Sequence, residues 1–184
     1  MKNLLEGKKV RLTAIEKDDI LEFTQWYNDT SFMRNYDVIS AVPLSSEEIE
    51  DMLKDIRGSK DKNIFAIRDI KSGEFIGVTG FENILWNNGT ALIYIGIGNK
   101  KYRGMGIGKE AMQLTMEFGF EEFNFHRIYL TVIEYNLPAI KLYESLGFIR
   151  EGTQREFINR DNKRFDLFLY GILKKEWIER KEGE

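Results

Sequence analysis

No cysteine occurs among the 184 residues, which excludes a disulfide scaffold, a cysteine nucleophile and any thiolate-bound zinc or iron–sulfur centre. Histidine is almost as scarce. His126 stands alone, so a two-histidine zinc motif cannot be assembled and no metal site is expected. An excess of one charge is missing too: 27 Lys and Arg against 30 Asp and Glu leave a net charge of −3. A surface built to neutralise a run of phosphates would carry a basic excess, so nucleic acid is not an expected partner. The opening residues MKNLLEGKKVRL contain no apolar run of signal-peptide length, and nowhere is there the stretch of about 18 apolar residues that a membrane span needs. The expectation is a cytoplasmic chain with no membrane partner. Only Pro43 and Pro138 interrupt it and no Ser/Gly-rich linker divides it, so residues 1–184 read as one domain, with about 178–184 as a frayed charged tail.

What is present is globular: 42% hydrophobic and 31% charged residues. Lys9 to Ile15 alternates as a short strand, and Asp18 and Asp19 suit the start of a helix carrying Ile20, Leu21, Phe23 and Tyr27. Residues 28–42 show no period and read as irregular. Ser45 with Glu47 and Glu48 marks another helix start, and its stripe of Ile49, Met52, Leu53 and Ile56 ends at Gly58. From Ile64 the period becomes that of strands: 64–69, 75–81 and 91–97, the last apolar without interruption and so covered on both faces. A helix over 106–123, a strand over 127–133, a helix over 137–146 and strands at 148–150 and 164–173 complete the order β-α-α-β-β-β-α-β-α-β-β. This is an α/β fold with helices flanking a mixed sheet.

The most informative stretch is Tyr102-Arg103-Gly104-Met105-Gly106-Ile107-Gly108-Lys109-Glu110, between a buried strand and a long helix. Alternate glycines let backbone N–H groups converge on one point, and the helix N-terminus adds unpaired donors and roughly half a positive charge. Together they suit a phosphate or pyrophosphate. A Walker A loop fails at both ends, because Arg103 stands where its first glycine belongs and Glu110 where it needs Ser or Thr. A dinucleotide fingerprint fails at Lys109, where its third glycine should fall.

The pattern that fits is Arg-x-x-Gly-x-Gly, here Arg103, Gly106 and Gly108. It resembles the acyl-CoA pyrophosphate loop of the GNAT superfamily of N-acetyltransferases. A second block, Asn136 to Phe148, resembles that family's Asn-x-x-Ala-x-x-x-Tyr-x-x-x-Gly-Phe helix. The opening Gly7-Lys8-Lys9-Val10-Arg11-Leu12-Thr13 and the segment from Arg164 to Trp177 are similar to the branch that acetylates ribosomal-protein N-termini. Spermidine and amino-sugar acetyltransferases look similar in the same regions.

The resemblance implies a mostly antiparallel sheet with a splayed central strand pair, and direct acetyl transfer from acetyl-CoA to a primary amine with no protein nucleophile and no metal. It implies Tyr143 as general acid toward the departing thiolate. It places Arg103, Gly104, Met105, Gly106, Ile107, Gly108 and Lys109 at the pyrophosphate, backbone groups near Ile95 and Ile97 at the pantetheine arm, and Asn136 at cofactor or acceptor. Read without the family, Asn136 is a helix N-cap and Tyr143 a core residue. Gly96 and Gly98 read as a bulge in the strand. Many relatives carry Glu after the Ala that opens the central strand, but here Leu92 follows Ala91. Glu82 and Glu134 are then the candidates for a base or for binding a cationic acceptor, beside a water chain to solvent. Trp86 lies in a turn from which it could reach an acceptor, and His126 reads as structural. The acceptor is a protein N-terminus, a polyamine or an amino sugar. A non-catalytic acyl-CoA-binding module and a homodimer stay open as alternatives.

Overall fold

The computed structural model describes residues 2–183. Seven strands form one sheet in the order β1-β2-β3-β4-β5-β7-β6. They are β1 (Val10–Thr13), β2 (Asn63–Asp69), β3 (Phe75–Leu85), β4 (Thr90–Gly96), β5 (Arg127–Ile133), β6 (Ile149–Arg160) and β7 (Lys163–Leu173). All neighbours are antiparallel except β4 and β5. The helices are α1 (Ile20–Tyr27), α2 (Thr30–Tyr36), α3 (Ser46–Gly58), α4 (Ile107–Glu121), α5 (Leu137–Ser145) and α6 (Lys174–Gly183).

Helices cover both faces of the central sheet, and β3 is buried on both from Phe75 to Phe81. β4, expected to be covered on both faces, and β5 instead alternate buried with half-buried or exposed residues. On one face Ile20, Phe23 and Trp26 of α1, Phe32 and Met33 of α2, and Ile49 and Leu53 of α3 pack against Ala66, Phe75 and Val78. On the other, Met112, Met116 and Phe120 of α4 and Tyr143 of α5 pack against Ile93, Ile128 and Leu130. Ala66 and Ile67 are neighbours in sequence but belong to opposite layers, as the strand period of two requires.

Several sequence expectations are corrected. Residues 30–36, read as irregular, form α2: the Asp29 side chain accepts from the Ser31 backbone N–H, an N-cap followed by only seven helical residues. So short a helix repeats its apolar stripe barely twice, too little for a period to register. The strand expected at 148–150 runs on to Arg160. Its hydrophobic alternation is absent because most of β6 is exposed, and two register shifts and a positive φ of 52° at Glu156 break its pairing with β7. The tail expected to fray from 178 is helical through Gly183, where Lys181 meets Glu117 at 2.6 Å and Arg180 donates to the Ser145 carbonyl.

Gly96 does not mark a bulge, and Gly98 lies beyond the end of β4. Gly96 stays in register opposite Val78, and a Cβ there would come within 2.7 Å of the Tyr36 ring. At Gly98 a Cβ would fall inside the Trp26 indole. The strand end is bare because aromatic rings of α1 and α2 lie directly on it.

Candidate active site

β4 and β5 are joined only at Thr90 with Arg127, Ala91 with Ile128 and Leu92 with Tyr129. Beyond Leu92, β4 continues on β3 through Gly96, while β5 continues on β7 through Ile133. Each strand is held on its outer side and released on its inner side. The sheet therefore opens into a wedge, with alternate backbone N–H and C=O groups facing the gap without a ladder partner. A cleft of about 800 Å³ fills the wedge, lined by Ile95 and Ile97 from one wall and Thr131 and Ile133 from the other.

At one end of the cleft stands the glycine loop. Gly104 and Gly106 have φ of 75° and 79°, the left-handed region open to glycine at little strain. Gly106 is the N-cap of α4 and no side chain caps the helix, so its first-turn N–H groups are open to an anion. The acid in that turn is turned away: Glu110 Oε1 accepts from the backbone N–H of Lys9 at 2.6 Å and of Val10 at 3.3 Å.

The residues assigned to this loop divide by role. The Ile107 side chain is core, so its backbone alone is available. Gly104 and Gly108 line the cleft. Met105 and Lys109 are exposed, and the Met105 carbonyl accepts from Lys9 Nζ at 3.0 Å. Arg103 lines the cleft and folds back, donating from Nε to the Ile97 carbonyl at 3.0 Å and from Nη2 to the Gly98 carbonyl at 3.3 Å. The Ile97 carbonyl is thereby occupied by this chain's own arginine.

Tyr143 lies in the wall of the cleft, 7% exposed. Burial pushes its phenol up to about 12, so it stays a proton donor at neutral pH. No protein group among the described residues shares its hydroxyl in a hydrogen bond. Asn136 also lines the cleft, with each end of its amide making one hydrogen bond and one Nδ2 hydrogen left over. Oδ1 accepts from the Ala139 N–H as the α5 N-cap, and Nδ2 donates to the Asn35 carbonyl at 3.0 Å. With Tyr135, whose hydroxyl donates to the Arg34 carbonyl, it fastens the end of α2 to the start of α5.

That fastening puts α1 and α2 over the far end of the cleft. Tyr27, Tyr36, Asp37 and Val38 line it there, with Tyr94 and Glu82 from the sheet. The Tyr36 ring stands edge-on to those of Tyr27 and Tyr94, with centroids 6.2 and 6.4 Å apart. Burial raises the Tyr27 phenol to about 12, with the Asp37 carboxylate adding to the shift. Burial also raises the Glu82 carboxyl; Lys62 opposes it, and Asp37 and Asp61 reinforce it. The two sequence candidates for an acid group therefore part company. Glu82 lines the cleft, whereas Glu134 is exposed and spends its carboxylate on the Asp166 backbone N–H at 2.8 Å. Trp86 and His126 are not in the lining either: Trp86 Nε1 donates to the Lys60 carbonyl and His126 opens β5 from the Gly89 turn. The aromatic wall of Tyr27, Tyr36 and Tyr94 escaped sequence reasoning, because three separate elements supply it and no spacing links them.

A mixed sheet opened between two parallel strands, with an uncapped helix start at one end of the gap and an unshared phenol in its wall, defines an α/β enzyme of the group-transfer type. The sequence profile of the acetyltransferase (GNAT) domain matches residues 9–149. The chain belongs to the GNAT family and is an N-acetyltransferase. It is 28% identical over 174 residues to the uncharacterized N-acetyltransferase p20 of Bacillus licheniformis, covering 94% of this chain and 97% of that one. It is also 28% identical over 148 residues to the spermidine N(1)-acetyltransferase of Escherichia coli K12, covering 78% and 74%. A shorter match, 30% over 112 residues and 61% and 58% of the two chains, is to the putative ribosomal N-acetyltransferase YdaF of Bacillus subtilis. In fold it is similar to the crystal structure of spermidine N-acetyltransferase from Vibrio cholerae in complex with CoA and spermine. The TM-score is 0.85 at 24% identity, over 92% of this chain and 98% of that chain.

Proposed function

We propose that the enzyme transfers acetyl from acetyl-CoA directly to a primary amine, with the pyrophosphate on the α4 N-terminus and the pantetheine arm in the wedge between β4 and β5. The single observation that carries this reading is the coincidence of the open α4 start, the unpaired strand edges and the Tyr143 hydroxyl along one cleft. The backbone N–H groups of Ile107, Gly108 and Lys109 take the phosphates, Gly104 and Gly106 let them approach, and the inner edge near Ile95 pairs with the amides of the arm. Since the Ile97 carbonyl is held by Arg103, the arginine braces the strand end as well as adding positive charge. Tyr143 protonates the departing thiolate. Burial makes the phenol a weaker acid, but the same apolar wall raises the basicity of a thiolate formed beside it.

For the acceptor, the charge at the α1–α2 end supports a single amine on a largely neutral body, such as a protein N-terminus. Among the described residues only Asp37 and Glu82 supply carboxylates to the lining, and one oxygen of Asp37 already accepts from the backbone N–H groups of Val38 and Ile39. A second reading, a polyamine acceptor, is favoured by the similarity to spermidine acetyltransferases. Thiol release from acetyl-CoA with a panel of peptides, polyamines and amino sugars tests both. Turnover of peptides above polyamines is expected. In parallel, acetyl-CoA and CoA should raise the melting temperature while ATP and NAD do not, since a ligand selective for the folded state stabilises it by mass action. A response to ATP or NAD with none to CoA would end the acetyl-transfer reading.

A further inference from the structure

We propose that Glu82, on β3, is the general base of this enzyme, occupying from the neighbouring strand the position that Leu92 leaves without a carboxylate. The inference rests on the acetyl-transfer reading above. Glu82 and Leu92 are direct partners across the antiparallel β3–β4 ladder. Paired residues in such a ladder project to the same face with Cβ atoms about 4.5–5.5 Å apart. Both line the cleft. A carboxylate at 82 thus faces the same cleft as a side chain at 92, one strand spacing away. The pairing is interrupted there and resumes at Leu85 with Thr90: the register shifts between Glu82 and Leu85, and Asn83 has a φ of 50°. The strand leaves the regular ladder just beyond Glu82.

The surroundings suit a proton acceptor. Asp37 from the end of α2 and Asp61 from the α3–β2 connection lie on the acidic side, and Lys62 on the basic side. The phenols of Tyr27, Tyr36 and Tyr94 complete the enclosure and feel the charge of Glu82 in turn. Burial holds the Glu82 proton more tightly than an exposed carboxylate would, and so narrows the gap to an alkylammonium.

An incoming amine arrives protonated. Glu82 takes one proton from that ammonium, directly or through one water, and the freed lone pair attacks the thioester carbonyl carbon. The new C–N bond forms and the C–S bond breaks. Tyr143 gives its proton to the sulfur, the proton shed by the nitrogen as the amide forms restores the phenol, and Glu82 releases its proton to solvent. The sum is amide, free thiol and one proton.

The test compares wild type, E82Q and the double exchange E82L/L92E with one working acceptor, measuring kcat, acceptor KM, acetyl-CoA Kd and the pH dependence of kcat/KM. E82Q should lose about 10²-fold or more in kcat at neutral pH with acetyl-CoA Kd unchanged. Its profile should lose the acid limb whose inflection in wild type lies above the ordinary carboxylate value. The double exchange, which returns the carboxylate across the ladder, should recover most of the rate and the acid limb. That recovery keeps the proposal testable even if E82Q folds poorly. An E82Q enzyme within about twofold of wild type in kcat overturns the assignment. So does a change confined to acceptor KM, which would make Glu82 a binder of the cation. A wild type that fails to bind acetyl-CoA overturns the acetyl-transfer reading and this one together.

Discussion

At the scale of the single residue, Tyr143 separates packing from chemistry. Its ring belongs to the core formed by α4, α5 and the sheet, while its hydroxyl opens into the cleft. Tyr143→Phe keeps the ring and removes only the proton donor. Turnover should fall about 10²–10⁴-fold, with little change in acetyl-CoA affinity and a small change in melting temperature. Steady-state kcat beside cofactor Kd checks this, and single-turnover rates guard against slow product release hiding the loss. Near-normal single-turnover rates would reduce Tyr143 to a packing residue. Asn136 illustrates the reverse case. Its amide caps α5 and donates to the Asn35 carbonyl, so it has a structural part in holding α2 over the site whether or not its second Nδ2 hydrogen meets a ligand.

At the scale of the element, the α4 start does work that no single side chain does. The helix has 15 residues, no side-chain cap, and an acid in its first turn that is drawn off to β1. Gly106→Asp should abolish CoA binding while leaving a folded protein. Asp is a favourable N-cap residue and tolerates the left-handed region better than most, so the helix survives. Its carboxylate would occupy the donors a pyrophosphate needs and repel the incoming charge. Calorimetry on a mutant with native circular dichroism measures this, and unchanged CoA affinity would move the phosphates elsewhere. β4 is the second such element. Partnered along its length with β3 but with β5 only from Thr90 to Leu92, it can keep its inner edge open because its outer edge is secured.

At the scale of the whole molecule, the two ends of the chain meet on α4. Glu117, with its side chain 9% exposed, is bridged by Lys2 at 2.5 Å and by Lys181 at 2.6 Å. Burial pushes its carboxyl up, but the two ammonium groups more than reverse that, so its folded value lies below the ordinary 4.5. A lowered value means that the unfolded chain binds the proton more readily. The stabilisation is therefore complete above about pH 4.5 and is lost as pH falls through the folded value. Glu117→Gln should lower the melting temperature at pH 7 and flatten its fall with acidification, as read by thermal scans from pH 7 to about pH 3.5. Both lysines are more than half exposed, so added salt should shrink the difference between wild type and mutant. An identical acid slope in the two proteins would show that the clasp does not contribute.

The sequence by itself determined the order of most elements, the glycine-marked start of α4, the α5 block from Asn136 to Phe148 and the absence of thiol or histidine-cluster chemistry. These are local matters: caps, period and glycine spacing act within a few residues of one another and leave a mark in the chain. Tertiary structure alone decided the rest. Whether Glu82 or Glu134 enters the cleft depends on placement in the sheet: Glu82 sits within β3 opposite Leu92, whereas Glu134 lies just past the end of β5, exposed and bonded to the Asp166 backbone. The bare backbone at Gly96 and Gly98 has its reason 60 to 72 residues upstream, in rings carried by α1 and α2. The aromatic wall of Tyr27, Tyr36 and Tyr94 is brought together by packing of α1 and α2 on the sheet and by the bonds from Tyr135 and Asn136 to the end of α2. Contacts between distant segments impose no period on either one, so the arrangement of the site arises from packing and not from any single stretch of chain.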